Sequence, residues 1–212
     1  MIVFLKYFPL NTGYRDNLRQ PLEDGKVTIS RALTSLSYPA RFMLAAAMNP
    51  CPCGYYSDPR HECSCNPQQI QKYMSKISGP LLDRIDIHVE VPALSYEELA
   101  AKTPGEGSES MREKVKVARA VQRTRFAGEK KIFCNAHMES KHIRTYCGLD
   151  EPCQTLLKNA VERLGLSARA YDRILKVART IADLDGKETV GSGHIAEGIQ
   201  YRSLDRKLWM GG

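Results

Sequence analysis

Four cysteines, Cys51, Cys53, Cys63 and Cys65, fall in two C-x-C pairs with nine residues between them. Two close thiolate pairs can complete a tetrahedral zinc site, and the proline-rich stretch between them can shape the loop such a site needs. C-x-C is a looser signature than C-x-x-C, and reduced buried thiols are common in protein cores. A structural zinc and a set of plain thiols are therefore both open, with His61 as a spare ligand. Asn49 ends the apolar run 42–48. A carboxamide at a strand tip can hold a water against a phosphate, although Asn before Pro is also a common strand stop. Arg84 stands in the run Ser78-Gly79-Pro80-Leu81-Leu82-Asp83-Arg84-Ile85-Asp86. A guanidinium there could reach a neighbouring subunit's phosphate and stabilise the charge that spreads during phosphoryl transfer. The plain alternative is an ion pair with Asp83 or Asp86. Arg169 opens Arg169-Ala170-Tyr171 in the first turn of a helix, where a solvated charge is the ordinary reading.

The elements that must position these groups follow from periodicity and punctuation. Ile2-Val3-Phe4-Leu5 reads as a short strand. Residues 19–32 hold a turn at Glu23-Asp24-Gly25 followed by the β-rich Val27-Thr28-Ile29, as in a hairpin. Phe42 to Met48 has the length of a buried strand. From Cys51 to Pro67 there is no period, and four prolines lie between Pro50 and Pro67, so this stretch is a loop. A helix is expected over 67–77, and Ile85 to Val91 alternates strictly, the clearest strand pattern in the chain. Thereafter the pattern is helical. Residues 103–108 look like a linker and the domain boundary. Met111, Val115, Ala118 and Val121 form a helical stripe. Asp150-Glu151-Pro152 starts a helix reaching about Leu164. Ser167 caps another, with Tyr171, Ile174, Leu175, Ala178, Ile181 and Ala182 on one side. A last helix from about Gly193 carries Ile195, Ile199 and Tyr201. The expected fold is an α/β part over 1–102 and an all-helical part over 103–212.

At 212 residues and 42% hydrophobic content the chain is long enough for one large or two small domains. No apolar run approaches the ~18 residues of a membrane span, and no signal-peptide layout opens the chain, so a cytoplasmic location is the expectation. Seven cysteines, four of them within 51–65, argue against a secreted disulfide scaffold. The net charge of +7 is unevenly spread. Residues 1–108 carry eleven basic and eleven acidic side chains, residues 109–147 ten against four, and residues 148–212 ten against nine. A basic excess confined to one segment suggests a polyanion partner, though a solvated helix face reads the same way. Cys134, Cys147 and Cys153 look like ordinary half-buried residues, and His88, His137, His142 and His194 are assigned no role.

Order and surroundings narrow these readings. The runs Arg-Gln-Pro-Leu-Glu-Asp-Gly-Lys-Val-Thr-Ile-Ser-Arg-Ala (19–32), Ala-Ala-Met-Asn-Pro-Cys-Pro-Cys-Gly (46–54), Ser-Gly-Pro-Leu-Leu-Asp-Arg-Ile-Asp (78–86) and Leu-Ser-Ala-Arg-Ala-Tyr-Asp-Arg-Ile-Leu-Lys-Val-Ala-Arg-Thr-Ile-Ala-Asp-Leu (166–184) closely resemble the magnesium-chelatase-like AAA+ ATPases of the ComM/YifB branch. The resemblance implies an α/β fold, part of an AAA+ core of the P-loop NTPase type, followed by a helical lid. It matches Asn49 to sensor 1, Arg84 to the arginine finger and Arg169 to sensor 2, all three facing ATP and magnesium in the full-length family. It matches Gly25-Lys26 to the tip of a hairpin that points to the central pore in related helicases. It further implies a homo-oligomeric ring and, for the ComM branch, DNA branch migration during natural transformation. Metal insertion into porphyrin belongs to more distant relatives.

The sequence also departs from the family. No G-x-x-x-x-G-K-[ST] phosphate loop occurs in these 212 residues. Where the family's second acidic motif has Asp-Glu after a hydrophobic strand, this chain has Lys6-Tyr7 after Phe4-Leu5. A phenol cannot serve as a carboxylate base near neutral pH. Residues 1 to about 17 accordingly read as the disrupted or shifted start of a longer gene, and the chain is not expected to hydrolyse ATP alone. The nucleic-acid candidates are Lys26 and Arg31 by the hairpin, and Arg119, Arg123 and Lys131 in the basic segment, with single-stranded or forked DNA as the expected partner. The competing reading is a non-catalytic zinc-containing module that binds nucleic acid or protein.

Overall fold

The computed structural model describes residues 2–6, 12–31, 34–96, 100 and 105–202, with side chains from residue 18 onward except at 31. Tyr7 of the family comparison lies outside the described residues, as do the side chains of Lys6 and Arg31. Two compact units divide between Ile85 and Asp86.

The first unit opens with strand β1 (Ile2–Lys6) and helix α1 (Thr12–Asp24). Two strands, β2 (Lys26–Arg31) and β3 (Thr34–Pro39), follow as an antiparallel ribbon, and β4 (Met43–Ala47) lies parallel to β1. In that parallel pair Ile2 stands opposite Met43 and Lys6 opposite Ala47, so both strands end side by side, just short of Asn49. Helices α2 (Pro67–Met74) and α3 (Gly79–Leu82) complete the unit. Its small core joins Ile77, Leu81 and Leu82 to Leu22, Met48 and Ile85.

The ribbon corrects the sequence reading at its base. Glu23-Asp24-Gly25 is the end of a helix and not a hairpin turn, because Gly25 at φ +63° takes the left-handed conformation that stops α1. Its N–H bonds to the Pro21 carbonyl at 3.1 Å. A β-carbon at Gly25 would also come within 2.9 Å of Arg41 Cγ. Lys26 pairs with Pro39 at the base of the ribbon and Arg31 with Thr34 at its other end, so Gly25-Lys26 is not the tip. The ribbon has two distinct faces. Thr28, Ser30, Ser35 and Ser37 line one with cross-strand hydroxyl contacts of 3.4 and 3.0 Å. Val27, Ile29, Leu36 and Tyr38 form the other.

Two further strand expectations change. Phe42 to Met48 does contain β4, but Met43 is 58% exposed, since β1 is its only strand neighbour among the described residues. Ile85 to Val91 is irregular, with a bend at Asp86 and no ladder partner among the described residues, and Val91 is 86% exposed. Alternation reports which side chains share a face; it cannot supply the second strand that makes a sheet.

The second unit is helical: α4 (Ser108–Arg125), a 3-10 turn (Asn135–His137), α5 (Ser140–Tyr146), α6 (Glu151–Leu164), α7 (Ala168–Leu184) and α8 (Ser192–Gln200). Its core gathers Phe126, Met138, Leu157, Ile195 and the Ile174-Leu175-Ala178-Ala182 stripe of α7. The caps fall where their chemistry requires. Asp150 accepts from the Cys153 N–H at 2.9 Å, and Ser167 accepts from the Ala170 N–H at 3.1 Å. Tyr171 departs from the expected buried side of α7 and is exposed. The expected stripe on α4 is mostly exposed as well. Only Ala118 and Gln122 are buried there, while Met111, Val115 and Val121 face solvent. No described helix is long and apolar enough to cross a membrane.

Candidate metal centre and the residues around it

The loop between β4 and α2 brings together the four cysteines. One ligand atom from each of Cys51, Cys53, Cys63 and Cys65 lies within 4.8 Å of all the others. The Cys51–Cys53, Cys53–Cys63 and Cys51–Cys63 sulfurs are 3.2, 3.5 and 3.7 Å apart, and all four thiols are free. Zinc–sulfur bonds of ~2.3 Å in a tetrahedron place sulfurs roughly 3.8 Å apart, so the set fits a zinc ion with little movement. Cys51 is fully buried and the other three are half-buried, which suits a structural site closed by its own ligands.

Electrostatics favour ionisation at one corner. The Tyr55 main-chain N–H, helped by the Cys51 thiol, brings the Cys53 thiol down to about 5. At Cys63 the Cys65 main-chain N–H acts in the same sense, but burial and the adjoining sulfurs outweigh it and push the thiol up to about 12. Cys65 is raised for like reasons, against the pull of the Cys53 main chain. Metal ligation requires thiolates, so a cation filling the centre displaces the protons that Cys63 and Cys65 otherwise hold. His61 is exposed, stacks on Tyr55 at 4.9 Å and lies 3.6 Å from Asp58, apart from the four-sulfur set.

The centre adjoins Asn49. Gly54 turns the loop back at φ +91°, and its N–H approaches the Cys51 carbonyl at 3.1 Å and the Cys51 sulfur at 3.2 Å. A β-carbon at Gly54 would stand 3.5 Å from Asn49 Nδ2, so the carboxamide faces this glycine. On α2, burial raises the Tyr73 hydroxyl while the main-chain N–H of Asn49 beside it pulls the other way, and Cys51 raises it further. Neither Gly54 nor Tyr73 stood out in the sequence, because each acts through a turn of the chain.

Arg84 is 9% exposed in the first unit. Its Nη2 is 2.7 Å from Glu23 Oε2 and its Nη1 donates to the Pro80 carbonyl. The ion-pair alternative named Asp83 or Asp86; the acid found is Glu23. Arg169 is exposed on the first turn of α7, in the second unit. Asp86 instead pairs with Arg173 within that unit.

Lys26 is exposed at the ribbon base, where a second cation, Arg41, lies against the preceding Gly25. Arg119, Arg123, Lys130 and Lys131 are all exposed. Arg112, Lys114 and Lys116 are exposed too, but they pair with Glu109, Glu106 and Glu113 at 3.0, 2.7 and 2.6 Å. Deeper in the second unit, Asp183 is 1% exposed and holds Arg125 at 2.5 Å, Asn135 at 2.7 Å and Arg179 at 2.9 Å. His142 and His194 close helix starts, each accepting a main-chain N–H on Nδ1, at 3.1 and 2.9 Å. Cys147 and Cys153 are buried and not half-buried, with thiols that burial pushes up to about 11.

Comparison with known families matches both halves of the chain. The family described as magnesium chelatase, subunit ChlI, matches residues 2–99, and the ChlI C-terminal family matches residues 105–202. Competence protein ComM of Haemophilus influenzae is 46% identical over 209 residues, covering 98% of this chain and 40% of that protein. The protein YifB of Escherichia coli is 41% identical over 195 residues, covering 91% of this chain and 37% of its own length. YifB of Salmonella typhimurium is 39% identical, with 98% of this chain and 40% of that protein covered. The chain thus spans about two fifths of the length of these relatives.

Proposed function

This chain belongs to the magnesium-chelatase ChlI family, in the group that includes ComM and YifB, and on that premise we propose that it is the C-terminal portion of an AAA+ ATPase that remodels DNA. The observation that carries the reading is the parallel β1–β4 pair. Ligands of open parallel sheets sit beyond the carboxyl ends of the strands, and Asn49 follows directly on β4 at that end. In this reading Asn49 orients water or senses the γ-phosphate, Arg84 acts on a neighbouring subunit's nucleotide, and Arg169 answers the nucleotide from the helical part. The cysteine centre holds structural zinc. Lys26, Arg31, Arg119, Arg123 and Lys131 contact single-stranded or forked DNA within a ring.

Arg84 acting in this way must exchange Glu23 for phosphate, since its guanidinium is engaged within its own chain. The amide nest and lysine that cradle β- and γ-phosphates have no sequence counterpart here, so the chain by itself does not turn over ATP. The test is a chimera in which this chain replaces the matching 209 residues of the Haemophilus relative, with Lys6→Asp and Tyr7→Glu restoring the acidic motif. The expected result is magnesium-dependent ATP turnover that falls by roughly a thousandfold in Arg84→Ala, the scale of an arginine finger. Turnover equal to the parent in Arg84→Ala would remove that residue from the mechanism.

A further inference from the structure

Asn49 is held from two sides by residues whose places depend on the cysteine centre. On one side lies Gly54, whose N–H is tied to the sulfur and carbonyl of Cys51 and whose β-position faces the Asn49 carboxamide, 3.5 Å from Nδ2. On the other lies Tyr73, whose hydroxyl adjoins the Asn49 main-chain N–H. Tyr73 rides on α2, and that helix begins at the Asn66–Gln69 capping box immediately after Cys65. The first cysteine thus sets one support and the last cysteine sets the other.

We propose that filling the Cys51-Cys53-Cys63-Cys65 centre with a zinc-like cation fixes the orientation of Asn49, with Gly54 and Tyr73 as the positioning residues. Without the ion the main-chain bonds described in this segment run between near neighbours, as from the Gly54 N–H to Cys51 and the Asp58 N–H to Tyr55, and its freedom passes to Gly54 and to the start of α2. With the ion, four thiolate bonds close both C-x-C pairs on one point. The loop then becomes a rigid bracket around the tip of β4. Where Asn49 is the nucleotide-sensing residue, as proposed above, metal loading is a condition for sensing.

The test uses the isotopically labelled chain with zinc alone as probe, and reads hydrogen exchange and NMR signals at Asn49. Addition of zinc is expected to slow exchange at the Asn49 amide. With zinc still bound at unchanged stoichiometry, Tyr73→Phe is expected to speed that exchange by roughly two- to tenfold, the range a single hydrogen bond supports, while amides of α7 stay as they were. Gly54→Ala is expected to move the Asn49 side-chain NH2 signals, because φ +91° is costly for alanine and the turn must shift. A chain that takes up no zinc overturns the proposal. So does exchange at Asn49 that ignores zinc, or that ignores both substitutions while zinc remains bound. Should the bracket respond as expected while Asn49→Ala leaves turnover of the chimera intact, the nucleotide role of Asn49 fails and the mechanical coupling stands.

Discussion

Arg84 and Glu23 form an ion pair at 2.7 Å that ties the end of α1 to the residues following α3. Because Arg84 is nearly buried, the acid is the counter-charge that lets the guanidinium stay inside the first unit. Glu23→Gln is expected to destabilise the chain by about 1–3 kcal/mol in urea unfolding, the cost of weakening a hydrogen bond to a charged group. A double-mutant cycle with Arg84→Ala should return a coupling of at least ~0.5 kcal/mol; strictly additive effects would mean the two side chains are near but energetically independent.

The four cysteines are expected to hold about one zinc per chain. Cys51→Ser together with Cys63→Ser should abolish it, and acidification should release it as thiolates regain protons. Elemental analysis and thiol titration of purified protein check this. Full thiol reactivity with no zinc in freshly purified protein would contradict it.

Nucleic-acid binding is refined by the ion pairs on α4. The sequence offered Arg112, Lys116, Arg119, Arg123, Lys130 and Lys131, and six phosphate contacts would cost about a thousandfold in affinity between ~50 and ~200 mM salt. Arg112 and Lys116 are already matched by Glu109 and Glu113. Four contacts on single-stranded DNA give a slope near −3 in log–log form, or a loss of about fiftyfold over the same range. Fluorescence anisotropy with forked DNA should show that dependence, and Arg119→Glu, Arg123→Glu and Lys131→Glu combined should remove binding. Equal binding by the triple variant would reduce the basic segment to a solvated surface.

Asp183 supplies a pH dependence of stability. Burial pushes its carboxyl up, but hydrogen bonds from Arg125 and Asn135 and the charges of Arg125 and Arg179 win, leaving it below the ordinary carboxylate value. A carboxylate depressed by folding contributes stability that is complete above its unfolded pKa and is lost as pH falls through the folded value. Urea midpoints should therefore drop below about pH 4. Asp183→Asn is expected to lose about 3–5 kcal/mol at pH 7, since it leaves two arginines without their shared acid. A midpoint for Asp183→Asn that matches the parent at pH 7 would show the cluster to be energetically idle.

The features legible in the sequence are those decided by near neighbours along the chain. Asp150 and Ser167 announce their helices because a cap is a contact with a main-chain N–H three residues on. The cysteine pairs converge because the loop joining them is short. Thr34 to Pro39 is not legible as a strand because its serines and proline carry little β signal, yet Val27-Thr28-Ile29 provides its ladder. Ile85 to Val91 shows the opposite failure, a strong alternation that joins no sheet among the described residues. Glu23, Tyr73 and Arg41 could not be read at all. Their roles arise from contacts with Arg84, Asn49 and Gly25, which only folding brings near.

The β2–β3 ribbon has no third strand among the described residues; Gln20 of α1 braces Thr28, and the ribbon leaves and re-enters the chain at one point, where the Ala40 N–H meets the Gly25 carbonyl at 2.7 Å. Residues can therefore be added to or removed from its free end in matched pairs without disturbing the β1–β4 register. Each pair changes its reach by ~3.4 Å and exchanges which face the terminal side chains occupy. Insertions of two pairs preserve the hydroxyl and aliphatic sides, whereas a single pair inverts them at the end. Length polymorphism in this arm should accordingly run in steps of four residues, a rule set by the pleat and independent of what the arm touches.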